Sequence, residues 1–459
     1  MQYWIPDLTD LPGPKYSAIA AALSRDIARG VLRAGDRLPP QRVLAEQLSI
    51  DLTTVTKAYN AVRHAGLIQG GGRRGSFVSG SAAQTQEPER TPVDTGMNLP
   101  PEPEASSLAR RMREGVTELL AQPHGLAALQ YQPSGGTPAD RAAAAAALRQ
   151  RGIDAPEDAV LITSGGQNAL HAIVSATLLP GDSVCTGAYT YPGFLSIARR
   201  YGLTIVPIES DCEGLLPDAL EQACKGGAKA VYVVPENDNP TTATMGIERR
   251  RAIAAVAERH GLIVIEDDAY GQLADAPLPS LATMVPERTW HIASVSKIIS
   301  PGLRVAWLRA PSTRHAWRLA ADLHETAVMA PPLNAALVSL WLRDGGFAAL
   351  VGEVRAEAAA RQAIAARILA EVPYVSQPAG YHLWLPLPRE ASCAEIVNAL
   401  RPAGLSVVPA EAFAVDPSRV EPALRVSIGG GLSRDRLQRT LGLLDALIAH
   451  APGRRTPVI

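Results

Sequence analysis

The stretch TWHIASVSKIISPGLRVAWLRA, residues 289–310, is the one on which the fold turns. An apolar run, Trp290–Ala293, leads into Ser294-Val295-Ser296-Lys297, and a second, Val305–Leu308, follows Pro301-Gly302-Leu303-Arg304. Short apolar runs bounded by Gly, Pro and Ser read as buried strands, so Lys297 directly follows a strand. The placement matters because the chain has only five lysines, Lys15, Lys57, Lys225, Lys229 and Lys297, among its 44 basic residues. A lysine partly desolvated among small hydroxyl residues, with an arginine nearby, has what a Schiff base to an aldehyde cofactor requires: a depressed pKa and a phosphate clamp. Taken alone, a lysine beside serines also reads as an ordinary surface residue.

The strand pattern recurs outward from this stretch. Ala159–Thr163 precedes a helix expected over about Gln167–Leu179, Ala230–Val234 precedes one over about Glu248–His260, and Leu262–Ile265 is a further apolar run. Strands separated by helices predict a mostly parallel central sheet with helices on both faces. Tyr381–Leu387 and Ala423–Ile428, with a helix over Arg434–Ile448, predict a small α+β lobe. Residues 105–459 therefore form one α/β body. Residues 80–104, rich in Pro, Gln, Glu, Ser and Thr and without apolar periodicity, read as a linker.

Residues 1–79 read as a separate domain. Ile19, Leu23 and Ile27 recur at four-residue spacing in a helix over Lys15–Arg29, which Gly30 ends. A second helix over Gln41–Leu48 follows Pro39-Pro40, and after Ser49-Ile50 a third begins behind Asp51 as N-cap, over Thr53–Ala65. Leu67-Ile68-Gln69, the turn Gly70–Gly75 with Arg73 and Arg74, and Ser76-Phe77-Val78 predict strand, basic turn, strand. The sum is a winged helix-turn-helix. A helix entering the major groove needs short polar or basic side chains near its N-terminal end, and Thr53, Thr54, Thr56 and Lys57 meet that need. Arg42 reaches for a phosphate or base edge, and Arg73 and Arg74 for the backbone or minor groove. A small helical domain with a solvated basic face would show the same charges.

The net charge of -1 conceals an uneven split: ten Lys and Arg against six Asp and Glu before Gly80, then 34 against 39 after it. The N-terminal piece is thus about +4 and the rest about -5, a basic reader on an acidic body. The 47% hydrophobic and 19% charged composition excludes a wholly disordered chain. Cys185, Cys212, Cys224 and Cys393 form no CxxC pair, so neither a disulfide scaffold nor a metal site is expected. No basic segment precedes an apolar leader and no window offers a membrane span, which predicts a cytoplasmic protein.

In Leu32–Pro39, Arg42–Leu48, Thr54–Tyr59 and Gly66–Ile68 the N-terminal domain resembles the DNA-binding domain of GntR-type regulators. Leu52 stands where many of them carry Arg. The lysine segment resembles that of fold-type I aminotransferases, which implies pyridoxal 5'-phosphate (PLP) on Lys297. The other parts follow in that family's order. Ser164-Gly165-Gly166-Gln167 joins a strand to a helix whose N-terminus would cradle the phosphate, and Ser294 and Arg304 match further phosphate ligands. In Ile265-Glu266-Asp267-Asp268-Ala269-Tyr270, Asp267 matches the partner of the ring nitrogen and Tyr270 a residue that reaches the ring hydroxyl; Asp268 reads equally as a strand-end cap. Asn239-Pro240-Thr241 matches the Asn at the ring hydroxyl, with Thr242 replacing the usual Gly. Tyr191 matches the aromatic stacked on the ring, although core packing would place it as well. Tyr131 resembles the tyrosine that reaches the neighbouring subunit's cofactor, which implies a domain-swapped homodimer. Arg425 matches the arginine that forks onto an amino-acid carboxylate. Pro409-Ala410-Glu411-Ala412-Phe413 departs from the Pro-Gly usual before that Phe.

The whole chain resembles the MocR subfamily of GntR regulators. The resemblance implies a transcription factor that binds double-stranded operator DNA and senses an amine, an amino acid or PLP itself through imine exchange at Lys297. A working aminotransferase with a fused DNA-binding domain, and a PLP-binding protein with a vestigial one, are the alternatives.

Overall fold

A computed structural model describes residues 4–8, 15–28, 31–33, 35–64, 67–70, 75–78, 96–123 and 125–449. The chain divides into two compact units, Met1–Thr91 and Pro92–Ile459.

In the first unit, α1 (Lys15–Ala28), α2 (Gln41–Gln47) and α3 (Leu52–His64) precede a hairpin of β1 (Ile68–Gly70) and β2 (Ser76–Val78), with Ile68 opposite Val78. The four-residue stripe Ile19, Leu23, Ile27 is buried in a core with Leu44, Val55, Ala58, Tyr59 and Val62. The one buried hydroxyl in that group, on Tyr59, donates to Pro39 O at 2.8 Å, so its burial leaves no unmet polar atom. Asp51 heads α3 as expected: Oδ1 accepts from Thr53 N at 2.7 Å and from Thr53 Oγ1 at 2.6 Å. The turn carrying Arg73 and Arg74 lies outside the described residues.

The second unit is built on a seven-stranded sheet. In chain order its strands are β3 (Val160–Thr163), β4 (Ser183–Gly187) and β5 (Thr204–Ile208), then, after a two-residue-per-strand hairpin of β6 (Ser210–Asp211) and β7 (Gly214–Leu215), β8 (Ala230–Val233), β9 (Ile263–Asp268), β10 (Thr289–Ser294) and β11 (Ala306–Arg309). The spatial order is β3-β11-β10-β9-β8-β4-β5, and only β11 runs antiparallel to its neighbours. Every residue of β3, β8, β10 and β11 is buried. Strands covered on both faces are buried along their whole length and are correspondingly rich in apolar residues. The small lobe holds an antiparallel sheet of β12 (His382–Pro386), β13 (Ser406–Pro409) and β14 (Ala423–Ser427), ordered β12-β14-β13. No single helix among the described residues is long and apolar enough to cross a membrane.

The linker expected to run to residue 104 ends sooner. Residues 96–104 are packed into the second unit, where Gly430 N donates to Leu99 O at 3.1 Å and to Pro100 O at 3.2 Å, and Glu102 N donates to Gly430 O at 3.2 Å. A Cβ on Gly429 would overlap Leu99 O, so glycine is what lets the two chains approach. Proline-rich composition removes N–H donors and bars a regular helix. It leaves the carbonyls free to dock against donors some 330 residues downstream, which no local window reveals.

The Gly429 turn is itself fastened from below. Arg361, 1% exposed, donates through Nε to Glu357 Oε1 at 2.7 Å, through Nη1 to Ile428 O at 3.0 Å and through Nη2 to Leu432 O at 2.8 Å. Removing one partner of a buried ion pair typically costs about 3–5 kcal/mol, and because Glu357 keeps Arg434 Nη2 at 2.7 Å the lower end of that range applies here. Arg361→Ala is expected to destabilise the second unit by about that amount, read as a lower urea midpoint; a shift equivalent to less than about 1 kcal/mol would show that the turn does not depend on it.

Candidate functional site

The carboxyl ends of parallel strands, with the helix N-termini that follow them, are where an open α/β sheet presents ligand-binding groups. Here Thr163 of β3 and Ser294 of β10 both pair with Ala306 of β11, and Ile292 of β10 pairs with Asp267 of β9. The register therefore brings Ser164-Gly165-Gly166, Ser294 and Asp267 to one edge. Gly165 has φ +81°, and a Cβ on it would lie 2.7 Å from Arg304 Nη2. Arg304, itself left-handed at φ 52°, donates through that nitrogen to Ser164 O at 2.8 Å. The helix Gly166–Thr177 starts here. Its first-turn N–H groups have no carbonyl four residues back, so with Arg304 they form an anion site. Ser294 Oγ accepts from Ser296 N at 3.2 Å and keeps its own hydrogen for another acceptor, while Ser296 Oγ is buried without a partner. This donor set fits a phosphate.

Lys297 ends the short helical turn after β10, and its Nζ donates to Asn98 O at 2.7 Å. Burial, reinforced by the cations Arg425 and Arg304 and opposed by Asp267, pushes its amine down to about 8. Asp267, 8% exposed, is pushed up to about 6 by burial, although Tyr232 OH donates to its Oδ2 at 2.8 Å. Tyr191, at the head of the helix Pro192–Arg200, donates to Gln167 Oε1 at 3.2 Å, and burial with the Asp267 charge raises its pKa. Asn239 is buried before a cis Pro240, and its Oδ1 accepts from Arg425 Nη1 at 3.4 Å. Thr242 takes the left-handed conformation (φ 62°) that glycine would adopt more easily, so the turn survives the substitution. Arg425, 1% exposed on β14, lies over the Phe413 ring at 5.3 Å from its centroid. The departure in the four residues before that ring, Pro409–Ala412, leaves the guanidinium over it.

The structure thus gathers Lys297, Asp267, Tyr270, Asn239, Tyr191, Ser164, Gly165, Gly166, Gln167, Ser294, Arg304 and Arg425 around the sheet edge and the facing small lobe. It sets two acidic neighbours apart. Asp268 pairs with Arg151 and accepts from Gly271 N at 3.1 Å. Burial pushes the Asp268 carboxyl up, but Arg151 and His291 outweigh it and hold it below its usual range. Tyr131, 85% exposed, does not join its own chain's site. In the first unit Arg42, Thr53 and Lys57 are exposed and Thr54 is half-buried. Thr56 also is half-buried, and its Oγ1 is spent on Gln41 Oε1 at 2.9 Å and Leu52 O at 2.9 Å, fastening α3 to α2.

Two residues escaped sequence reasoning. Asn98, 2% exposed, donates through Nδ2 to Tyr270 OH at 3.1 Å and lies 3.1 Å from His382 Nδ1, and its Oδ1 accepts from Ser427 Oγ at 2.7 Å. His382 is fully buried, and that burial drives its pKa down to about 3. It is therefore neutral, with Nδ1 accepting from the amide and Nε2–H donating to Asp238 O at 3.0 Å. A single Asn in a proline-rich stretch and a single His in an apolar strand carry no spacing signal.

Fold and site together define a fold-type I aminotransferase architecture joined to a helix-turn-helix domain. Residues 105–444 match the aminotransferase class I and II family, and residues 15–78 match the gntR family of bacterial regulatory proteins. The chain is 32% identical over 452 residues to the HTH-type transcriptional regulator YdeF of Bacillus subtilis, covering 97% of this chain and 96% of that one. It is 30% identical over 424 residues to the vitamin B6 salvage pathway transcriptional repressor PtsJ of Salmonella typhimurium, covering 91% and 95%. Among solved structures, LysN, an α-aminoadipate aminotransferase of Thermus thermophilus complexed with N-(5'-phosphopyridoxyl)-L-leucine, superposes with TM-score 0.68 at 26% identity, covering 77% of this chain and 92% of that one. The chain belongs to the HTH-type transcriptional regulators in which a GntR domain precedes an aminotransferase class I and II domain.

The electrostatics of Lys297 are open to direct measurement. Acetylation by acetic anhydride, followed by mass spectrometry of the peptide carrying Lys297, is expected to rise with a midpoint near pH 8, where its amine gives up its proton. Arg425→Gln removes a repelling cation and should move the midpoint up; Asp267→Asn removes an attracting anion and should move it down. A midpoint in the ordinary lysine range, unmoved by either change, would contradict the arrangement.

Proposed function

We propose that the protein regulates transcription by binding operator DNA through α2, α3 and the wing, and that it carries PLP on Lys297, where an amine, an amino acid or PLP itself acts as effector. The observation that carries this reading is the Lys297 amine, held near 8 among Arg425, Arg304 and Asp267 at the mouth of an anion site. Similarity to a solved structure holding a phosphopyridoxyl amino acid supports it.

Each residue has a physical task in this reading. Ser164, Gly165, Gly166, Gln167, Ser294 and Arg304 would hold the phosphate, with Tyr131 reaching across from a second copy in a domain-swapped homodimer. Asp267 would keep a proton on the ring nitrogen, Tyr191 would lie on the ring, and Asn239 and Tyr270 would bond its hydroxyl. The cofactor supplies an aldehyde carbon for a primary amine and a ring that withdraws electrons. Lys297 contributes an amine that is partly unprotonated near neutral pH, and Arg425 orients an effector's carboxylate. Arg42, Thr53, Thr54 and Lys57, with Arg73 and Arg74, would face DNA, while Thr56, its hydroxyl engaged with Gln41, would hold α3 against α2 for them. Operator DNA as the partner suits a cytoplasmic site of action.

Because Lys297, Asp267 and Arg425 are all retained, turnover as an aminotransferase is the second reading. Sustained transamination at about 1 per second or faster would favour it, and a half-reaction that stops would favour the regulator.

Added PLP is expected to give a visible absorbance band and a borohydride-stable adduct on Lys297, both lost in Lys297→Ala; an unchanged spectrum would sink the cofactor assignment. Lys57→Ala should weaken operator binding and lower the slope of log K against log salt by about 0.9 if the lysine neutralises one phosphate. An identical slope would place Lys57 off the DNA.

A further inference from the structure

In an open α/β sheet, ligands favour the crevice outside the carboxyl ends of two neighbouring strands whose connections leave in opposite directions. β4 and β8 are such a pair. They are hydrogen-bonded neighbours, but β4 continues outward through the helix Pro192–Arg200 to β5, whereas β8 continues inward through the helix Ile247–His260 to β9. The two helices pack into different cores, Phe194 and Ile197 into one and Ile253 and Ala257 into the other. The loops after β4 and β8 carry Tyr191 and Asn239 to the Lys297 site. Their neighbours Tyr189 and Asp238 go elsewhere.

They line a cavity of ≈ 1060 Å³ that is floored by the strand ends at Gly187, Ile208 and Val233 and reaches Trp384 of the small lobe. Lys297, Asp267, Asn239, Tyr191 and Arg425 take no part in its wall. The small lobe is stitched to the sheet on both sides of the opening. Thr190 N donates to Phe413 O and Val415 N to Ala188 O, both at 2.9 Å, and Gln377 Nε2 donates to Thr242 O at 2.8 Å.

The chemistry of the wall selects a charge. Tyr189 and Trp384 lie with ring centroids 5.3 Å apart, and Tyr374 adds a third aromatic ring. Four carboxylates join them. Asp211 pairs with Arg249 at 2.8 Å and Asp416 with Arg419 at 3.5 Å, whereas Asp238 and Glu209 make no ion pair among the described residues. Asp238 is half-buried and accepts from Thr241 Oγ1 at 2.6 Å. Burial pushes its carboxyl up to about 6, against the hydrogen bonds from Thr241. A desolvated carboxylate is ordinarily paired, and here the complementary charge is left for a ligand. Aromatic faces attract a cation as well. An anion would meet uncompensated carboxylates, and a neutral apolar molecule would leave them unanswered.

We propose that this cavity is a second ligand site, separate from the Lys297 site, for an organic cation with an apolar body: its ammonium group faces Asp238 and Glu209, and its body lies among Tyr189, Tyr374 and Trp384. The proposal depends neither on PLP nor on the roles given to Lys297 and Arg425.

Benzyltrimethylammonium is the probe, because a quaternary nitrogen forms no imine. Neopentylbenzene, of the same shape with carbon in place of nitrogen, is the neutral control. Equilibrium dialysis against full-length protein, PLP-loaded and as Lys297→Ala, is expected to show the cation bound at least about tenfold more tightly than the control and equally in both proteins. Asp238→Asn and Trp384→Leu should each weaken it by about tenfold, and Glu209→Gln, at an exposed position, by about threefold. A readout free of cavity substitutions is alkylation by iodoacetamide: Cys212, exposed at the cavity wall, should react more slowly with the cation present, and Cys393 at an unchanged rate. Absence of binding, equal affinity for the two probes, binding lost in Lys297→Ala, affinity unmoved by all three cavity substitutions, or unprotected Cys212 would each overturn the proposal.

Discussion

An amine placed where water cannot fully solvate it loses part of its affinity for a proton, and the second unit is organised around one such group. Burial lowers Lys297, two arginines lower it further, and Asp267 pulls the other way. None of these charges lies near Lys297 in sequence except Arg304. They meet because parallel strands end together and because β11, the one antiparallel strand of the seven-stranded sheet, ties the end of β3 to the end of β10 through Ala306. A shift of one residue in that register would turn every side chain to the opposite face of the sheet.

The same low dielectric constrains the rest of the polar interior. Adjacent carboxylates on β9 follow different paths: Asp268 is satisfied by Arg151, whereas Asp267 has a phenol hydrogen bond and no guanidinium, and burial leaves it easier to protonate. Glu266, also buried, accepts from Ser280 Oγ at 2.5 Å and from the backbone at Leu281 and Ala282, pinning the loop between β9 and β10. Three successive acids thus serve a loop, a site and an ion pair. Their identity as acids is visible in the sequence, but the division of labour depends on partners elsewhere in the fold.

Much of the architecture was legible because it is written in local periodicity. The four-residue stripe of α1, the N-cap of α3 and the apolar runs that became β3, β8, β10 and β11 stand within a residue or two of expectation, and β9 runs three residues past the expected Ile265 because its buried acids continue the strand. The lysine segment was legible because rare lysines make a buried one conspicuous. What was not legible shares one property: its meaning is supplied from far away. Asn98 sits in a stretch whose composition says linker, yet its partners are residues 270, 382 and 427. Thr56 has the size and polarity of a DNA-facing residue, but Gln41 on the neighbouring helix engages its hydroxyl. The left-handed turn at Thr242 was obscured for a related reason, since a non-glycine holds a conformation that the motif leads one to assign to glycine.

The clip between Leu99–Glu102 and Gly430 marks where the tether to the DNA-binding unit begins. An extended chain spans at most about 3.3–3.6 Å per residue, so the position of that clip sets the greatest reach of the chain upstream of it. The effective concentration of one tethered module near another varies with tether reach. In the proposed homodimer, moving that clip by a few residues would change how often the two gntR domains can engage two half-sites at a fixed spacing, with no new contact to DNA required.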